Sequence, residues 1–133
     1  MSTTPERINL HRKSARLSLH YADGNVYELP AELLRVYSPS AEVRGHGKGQ
    51  KVLQTGKRQV SITDIETMGN YAVRLTFDDG HSSGIYSWDY LHELGERQEE
   101  LWQLYLEELQ QAGASRDPLP EGVQVINIKG SSE

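Results

Sequence analysis

With 133 residues and no cysteine, the chain is sized for a single core, and disulfides, thiolate metal sites, iron–sulfur ligation and a cysteine nucleophile are excluded. An apolar fraction of 36%, a charged fraction of 25% and a mean hydropathy of -0.64 fit a well-solvated surface over an ordered core, because the apolar residues recur in patterns. The net charge of -5 and pI near 5.5 argue against a dedicated nucleic-acid binder.

No apolar run approaches the roughly 20 residues of a membrane span. The polar stretch from Met1 to Arg7 reads as a frayed terminus and leads into no signal-peptide core, so a cytoplasmic location is expected. Arg16 to Tyr21 alternates with period two, Asp23-Gly24 is a hairpin turn, and Val26 to Leu29 forms the return strand. Pro30 stops that strand and suits the first turn of a short helix, Ala31 to about Arg35. Residues 36–58 read as a long irregular segment with four interspersed glycines. It carries Arg44, Lys48, Lys51, Lys57 and Arg58 and no acid between Val43 and Thr63.

A strand is expected at about Val60–Glu66, with Ile65 out of phase and hinting at a bulge. The clearest strand is Tyr71–Phe77, with Tyr71, Val73, Leu75 and Phe77 on its buried face. Asp79-Gly80 turns it into a second hairpin returning at about Ser82–Tyr86. Ser87 is placed to N-cap a helix over Trp88–Leu94, with Asp89 in its first turn and Gly95 just past its end. A longer helix, Glu96–Ala112, carries Leu101, Leu104, Tyr105 and Leu109 at helical spacing and stops at Gly113. Ala114 to Gly122 reads as a linker, and Val123–Ile128 as a loose tail or an added edge strand. Strands, a short helix, a loop, strands and then helices make an α+β fold. Its small antiparallel sheet is built from two hairpins, with the C-terminal helices packed on it.

Several motifs look chemical and fail on context. Gly80-His81-Ser82-Ser83-Gly84 matches the G-x-S-x-G nucleophile elbow, but its flanks read as an antiparallel hairpin, where the elbow needs a buried strand leading directly into a helix. Gly45-His46-Gly47-Lys48-Gly49 lacks the preceding strand and following helix of a phosphate cradle. No histidine is followed two residues later by an acid, as a non-haem iron facial triad requires. His81 has carboxylates close by in sequence, Asp78 and Asp79.

Leu34-Arg35, Ser38-Pro39-Ser40, Asn70-Tyr71-Ala72-Val73, Asp79-Gly80-His81 and Gly84-Ile85-Tyr86-Ser87-Trp88 together resemble the gamma-butyrobetaine hydroxylase-like N-terminal domain family, over about Ile8 to Leu94. The resemblance implies a single such domain over residues 1–113, followed by the 114–133 tail. In the hydroxylases this domain precedes a separate oxygenase domain holding iron and 2-oxoglutarate, so the resemblance implies no hydroxylase activity for this chain. It also implies that Ser38, Ser40, Val43 and His81 stand where family members hold zinc through three cysteines and a histidine; that site is then degenerate, and no cofactor is expected. The expected function is a non-catalytic accessory module that contacts a protein partner. The candidate contact residues are Arg44, Lys48, Lys51, Lys57 and Arg58 with the Tyr86–Trp88 edge. A homo-oligomer is compatible with this reading. The alternative is a zinc- or iron-binding protein using His81 with Asp78 or Asp79, linked to iron–sulfur protein maturation.

Overall fold

The computed structural model describes residues 3–45 and 51–118. Residues 46–50, His46 and Lys48 among them, and the expected edge strand at 123–128 lie outside the described residues. In chain order the elements are β1 (Arg7–His11), β2 (Arg16–His20), β3 (Val26–Pro30), α1 (Ala31–Val36), α2 (Ala41–Arg44), β4 (Ile62–Met68), β5 (Ala72–Phe77), β6 (Ile85–Ser87), α3 (Trp88–Glu96) and α4 (Gln98–Ala112). The class is α+β, as the sequence pattern implies. The strands form two three-stranded antiparallel sheets, β1-β2-β3 and β4-β5-β6, each built around one of the two hairpins.

One apolar core joins the two sheets. Leu17, Leu19 and Leu29 from the first sheet meet Val73, Leu75, Phe77 and Tyr86 from the second, with Leu33 and Leu34 of α1 and Leu91 and Leu94 of α3 between and around them. A smaller cluster of Val36, Tyr105 and Leu109 seats α4. Among the described residues no helix is long and apolar enough to cross a membrane.

The local outcomes follow from chemistry that the sequence shows in part. Ser87 caps α3 by accepting from the Tyr90 N–H at 3.1 Å, with Asp89 in the first turn. Gly113 closes α4 in the left-handed region at φ 65°, where a side chain would be strained. The β4–β5 register shifts between Ile62 and Asp64, the bulge that the phase of Ile65 signals.

Several expectations are corrected. A strand precedes the first expected hairpin: β1 starts at Arg7, Glu6 N–H donates to the His20 carbonyl at 2.7 Å, and Leu10 sits opposite Leu17. Tyr71 is 58% exposed, because pairing begins only at Ala72 and Tyr71 still belongs to the preceding turn. The return strand starts at Ile85, since residues 81–84 are drawn to the segment after α1. Leu104 faces solvent at 44% exposure, on the side of α4 away from Leu101, Tyr105 and Leu109. Part of the expected linker is also pinned: Gly56 and Arg58 N–H groups donate to the Ser115 and Arg116 carbonyls, and the Arg116 guanidinium grips the Glu32 carboxylate in a two-bond fork at 2.7 and 2.8 Å.

Gly95 does not end α3 but lies inside it, with Arg97 joining α3 to α4. Its α-carbon is packed against the Tyr27 ring so closely that an added Cβ would overlap the ring carbons. In an open helix Gly→Ala stabilises by about 1 kcal/mol. Here Gly95→Ala is expected to destabilise by about 1–3 kcal/mol through overpacking. Urea unfolding of the two proteins checks the sign; a more stable variant would refute the close contact.

Candidate functional site

The site forms where the chain leaving α1 meets the turn after β5. Pro39 follows Ser38, and Ser40 then caps the single turn of α2 by accepting from the Glu42 N–H at 3.1 Å. On the other side, Asp79 accepts from the His81 N–H at 3.1 Å, Gly80 takes φ 91°, and the His81 carbonyl accepts from the Phe77 N–H at 2.9 Å. This turn seats His81 at only 6% exposure.

The imidazole bridges the two segments. Its Nδ1 lies 3.0 Å from Glu42 Oε1, and its Nε2 lies 2.9 Å from Ser38 Oγ. A carboxylate only accepts, so Nδ1 carries the proton and Nε2 accepts from the Ser38 hydroxyl. Ser38 Oγ in turn accepts from the Ser40 N–H at 3.2 Å, and Ser40 Oγ shares a hydrogen bond with Ser83 Oγ at 2.7 Å. Tyr86, fully buried beside this network, donates its hydroxyl to the Leu34 carbonyl at 2.5 Å.

Charges surround the network. Asp79 receives Arg35 Nε at 2.8 Å and Lys57 Nζ at 2.5 Å. Burial works against its charge, but hydrogen bonds from Lys57, the His81 N–H and Arg35 outweigh that and hold the carboxyl down to about 2. For His81, burial and then the nearby Arg35 cation push the imidazole below its ordinary value, more than Glu42 and Asp79 raise it. A neutral ring suits its role as donor to Glu42 and acceptor from Ser38.

Ser38, His81 and Glu42 share the order and ring-nitrogen assignment of a hydrolytic serine–histidine–acid relay. The serine is not presented as a nucleophile, however. It is 1% exposed, both sides of its oxygen are engaged, Gly84 packs directly on it, and Pro39 has no N–H to offer an oxyanion. What the relay does is fix two distant segments to each other.

Of the four positions implied as zinc ligands, Ser38 and His81 are in contact, and Ser40 joins them through Ser38. Val43 is buried and brings only hydrocarbon. Two hydroxyls and an isopropyl group do not form a zinc donor set, and His81 Nε2 is spent on Ser38, so these residues do not fit the metal. The alternative set does not converge either. Both ring nitrogens of His81 are used, Asp79 serves two cations, and Asp78 accepts from the Ser61 N–H. Among the described residues no three His, Asp or Glu side chains gather in a metal-holding group.

The candidate contact residues scatter. Lys51 pairs with Glu108 at 3.0 Å and Arg58 with Asp117, while Lys57 belongs to Asp79. Arg44 lies over the Tyr90 ring, 5.0 Å from its centre. Trp88 is half-buried, its indole N–H donating to the Asn70 carbonyl at 2.8 Å, and the burial of Tyr86 removes it from any contact surface. Sequence reasoning missed Glu42, Ser83 and Arg35. The Ser40 cap, with Pro39 before it and Glu42 two residues on, was the one available signal for the first of these.

Two outcomes test this assignment. Because folding lowers the His81 value, the unfolded chain binds more protons there, so stability should fall as pH drops below the ordinary histidine value of 6.5. A second loss should come between pH 3.8 and about 2, as Asp79 is protonated. Unfolding midpoints from pH 8 to about 2 should show both losses, and His81→Gln should flatten only the first. Separately, a fluorophosphonate probe should label neither Ser38 nor Ser82; labelling of Ser38 that vanishes in His81→Gln would make the relay catalytic.

Comparison with known proteins places this architecture. Residues 8–92 match the family described as gamma-butyrobetaine hydroxylase-like, N-terminal. Comparison with curated proteins gives no match. Two NMR solution structures are similar: one is 51% identical, covers 92% of this chain and 97% of its own, with a TM-score of 0.76. The other is 48% identical, covers 96% and 97%, with a TM-score of 0.73. A crystal structure from Acidithiobacillus ferrooxidans, described as a protein with unknown function of the DUF971 family, is 36% identical over 70% of this chain and 93% of its own, with a TM-score of 0.59. The chain belongs to the gamma-butyrobetaine hydroxylase-like N-terminal family.

Proposed function

We propose that the chain is an accessory interaction module that contacts a protein partner through the outer edge of the second sheet. The observation that carries this reading is the exposure of Tyr71 at 58% and Ile85 at 42% where β5 begins and β6 edges the sheet. Half-buried Trp88 follows directly, its own N–H held by the Tyr71 carbonyl at 3.1 Å. Aromatic and large aliphatic side chains held on rigid backbone lose little entropy on docking and suit the centre of an interface. The basic residues support this role less: Lys51, Lys57 and Arg58 already have carboxylate partners within the chain.

The test is affinity capture from native cells, comparing the wild-type chain with Tyr71→Ser/Ile85→Ser and with Arg58→Gln. The double variant should lose the specifically retained protein while its stability changes by about 0.5 kcal/mol or less per site, as exposed positions allow. Arg58→Gln should retain it. Equal retention by all three would rule out the sheet edge as the contact.

A further inference from the structure

A second feature stands apart from the sheet edge: a cavity of about 250 Å³ between α1, α2 and the α3–α4 corner. Its interior is hydrocarbon, supplied by Val36, Val43, Leu94 and Leu101, all buried. Tyr37 and Tyr90 form its aromatic walls, and both hydroxyls are already spent. Tyr37 donates to the Leu101 carbonyl at 2.6 Å, and Tyr90 donates to the Tyr37 carbonyl at 2.5 Å. Ser38 also lines the cavity, with its hydroxyl engaged by His81, so an occupant meets mainly apolar surface inside.

The charged residues among the described lining are Arg44, Lys51, Arg97 and Glu93. These cations are not equivalent. Arg97 is clamped by Glu93 at 3.0 Å and by Glu100 at 2.8 Å, and Lys51 by Glu108 at 3.0 Å. Arg44 rests on the Tyr90 ring with no carboxylate partner among the described residues. The guanidinium also hydrogen-bonds the Tyr90 hydroxyl, and its remaining N–H donors beside an apolar cavity are suited to a carboxylate.

We infer that this cavity binds a small carboxylate with a compact apolar body, its charge on Arg44 and its hydrocarbon among Val36, Val43, Leu94 and Leu101. The volume lies below the roughly 300–1,000 Å³ usual for drug-sized ligands, so the body is small. Arg44, the lining cation without a carboxylate partner among the described residues, balances a monoanion; a phosphate dianion would leave charge uncompensated beside hydrocarbon. The same chemistry is offered by a free short-chain acid and by a peptide ending in an apolar residue.

NMR titration of the full chain separates these. The probes are 4-methylpentanoate and N-acetyl-glycyl-leucine, each against its primary amide. Saturable shifts at Val36, Val43, Leu94 and Leu101 are expected with the carboxylates and not with the amides. Response to the free acid alone assigns a small metabolite-like acid; response to the dipeptide as well assigns a chain end. Arg44→Gln, an exposed change, should weaken binding about tenfold, the worth of one hydrogen-bonded charge, and Arg58→Gln should not. The inference is overturned if no probe shifts these residues through the millimolar range, if the amides bind equally, or if Arg44→Gln leaves affinity unchanged. Because none of its variants touches Tyr71 or Ile85, this result and that of the sheet-edge test fail or succeed separately.

Discussion

The hydrogen bonds of one buried imidazole hold this architecture in register. Ser38 and His81 stand 43 residues apart in sequence, yet the ring of His81 joins the segment after α1 to the turn after β5 through Ser38 on one side and Glu42 on the other. Each sheet could close its own hairpins, but the path from α1 to α2, and with it the walls around Val43 and Tyr90, is set by that contact. A polar node at this depth is tolerated because its members satisfy one another; removing one would leave buried hydrogen-bonding groups without partners. The node is therefore a device of position rather than of reactivity, and its low exposure and neutral ring are two aspects of the same constraint.

Much of the fold was legible because local chemistry and burial agreed. Asp23-Gly24 and Asp79-Gly80 are the tight turns they spell, Ser87 caps, Gly113 terminates, and Val73, Leu75 and Phe77 point inward as their alternation requires. Failures came where a residue's fate depended on a distant neighbour. Ile8 and Leu10 form a strand only because Leu17 and Leu19 lie beside them, and five residues seldom signal a strand alone. Tyr71 reads as the next inward position of β5, but a turn decides where pairing starts. Gly95 carries the ordinary signature of a helix end, while its actual cause is a tyrosine on the first sheet.

The site was legible in a more limited way. Resemblance brought Ser38 and His81 together, and the geometry agrees; nothing in composition or spacing pairs residues so far apart. Glu42 was hidden because a lone acid after a serine has many uses. The basic stretch was misleading for a general reason: charges contiguous in sequence are distributed by folding to whichever acids lie near. Asp79, Glu108 and Asp117 absorb Lys57, Lys51 and Arg58, so what remains as free cationic character is far less than the sequence suggests.

The contact between Gly95 and Tyr27 has a consequence for how relatives of this chain can differ. The two residues occupy one volume: the missing side chain in α3 is the space that the tyrosine ring fills on β3. Tyr27 also meets Tyr21 and His92 edge-on, with ring centres 5.6 and 5.4 Å away, so the ring cannot simply swing aside. Positions 27 and 95 should therefore vary as a pair. A small residue at 27 would open room for alanine or serine at 95, whereas a bulky side chain at both would push the helix away from the sheet and open the core beneath it.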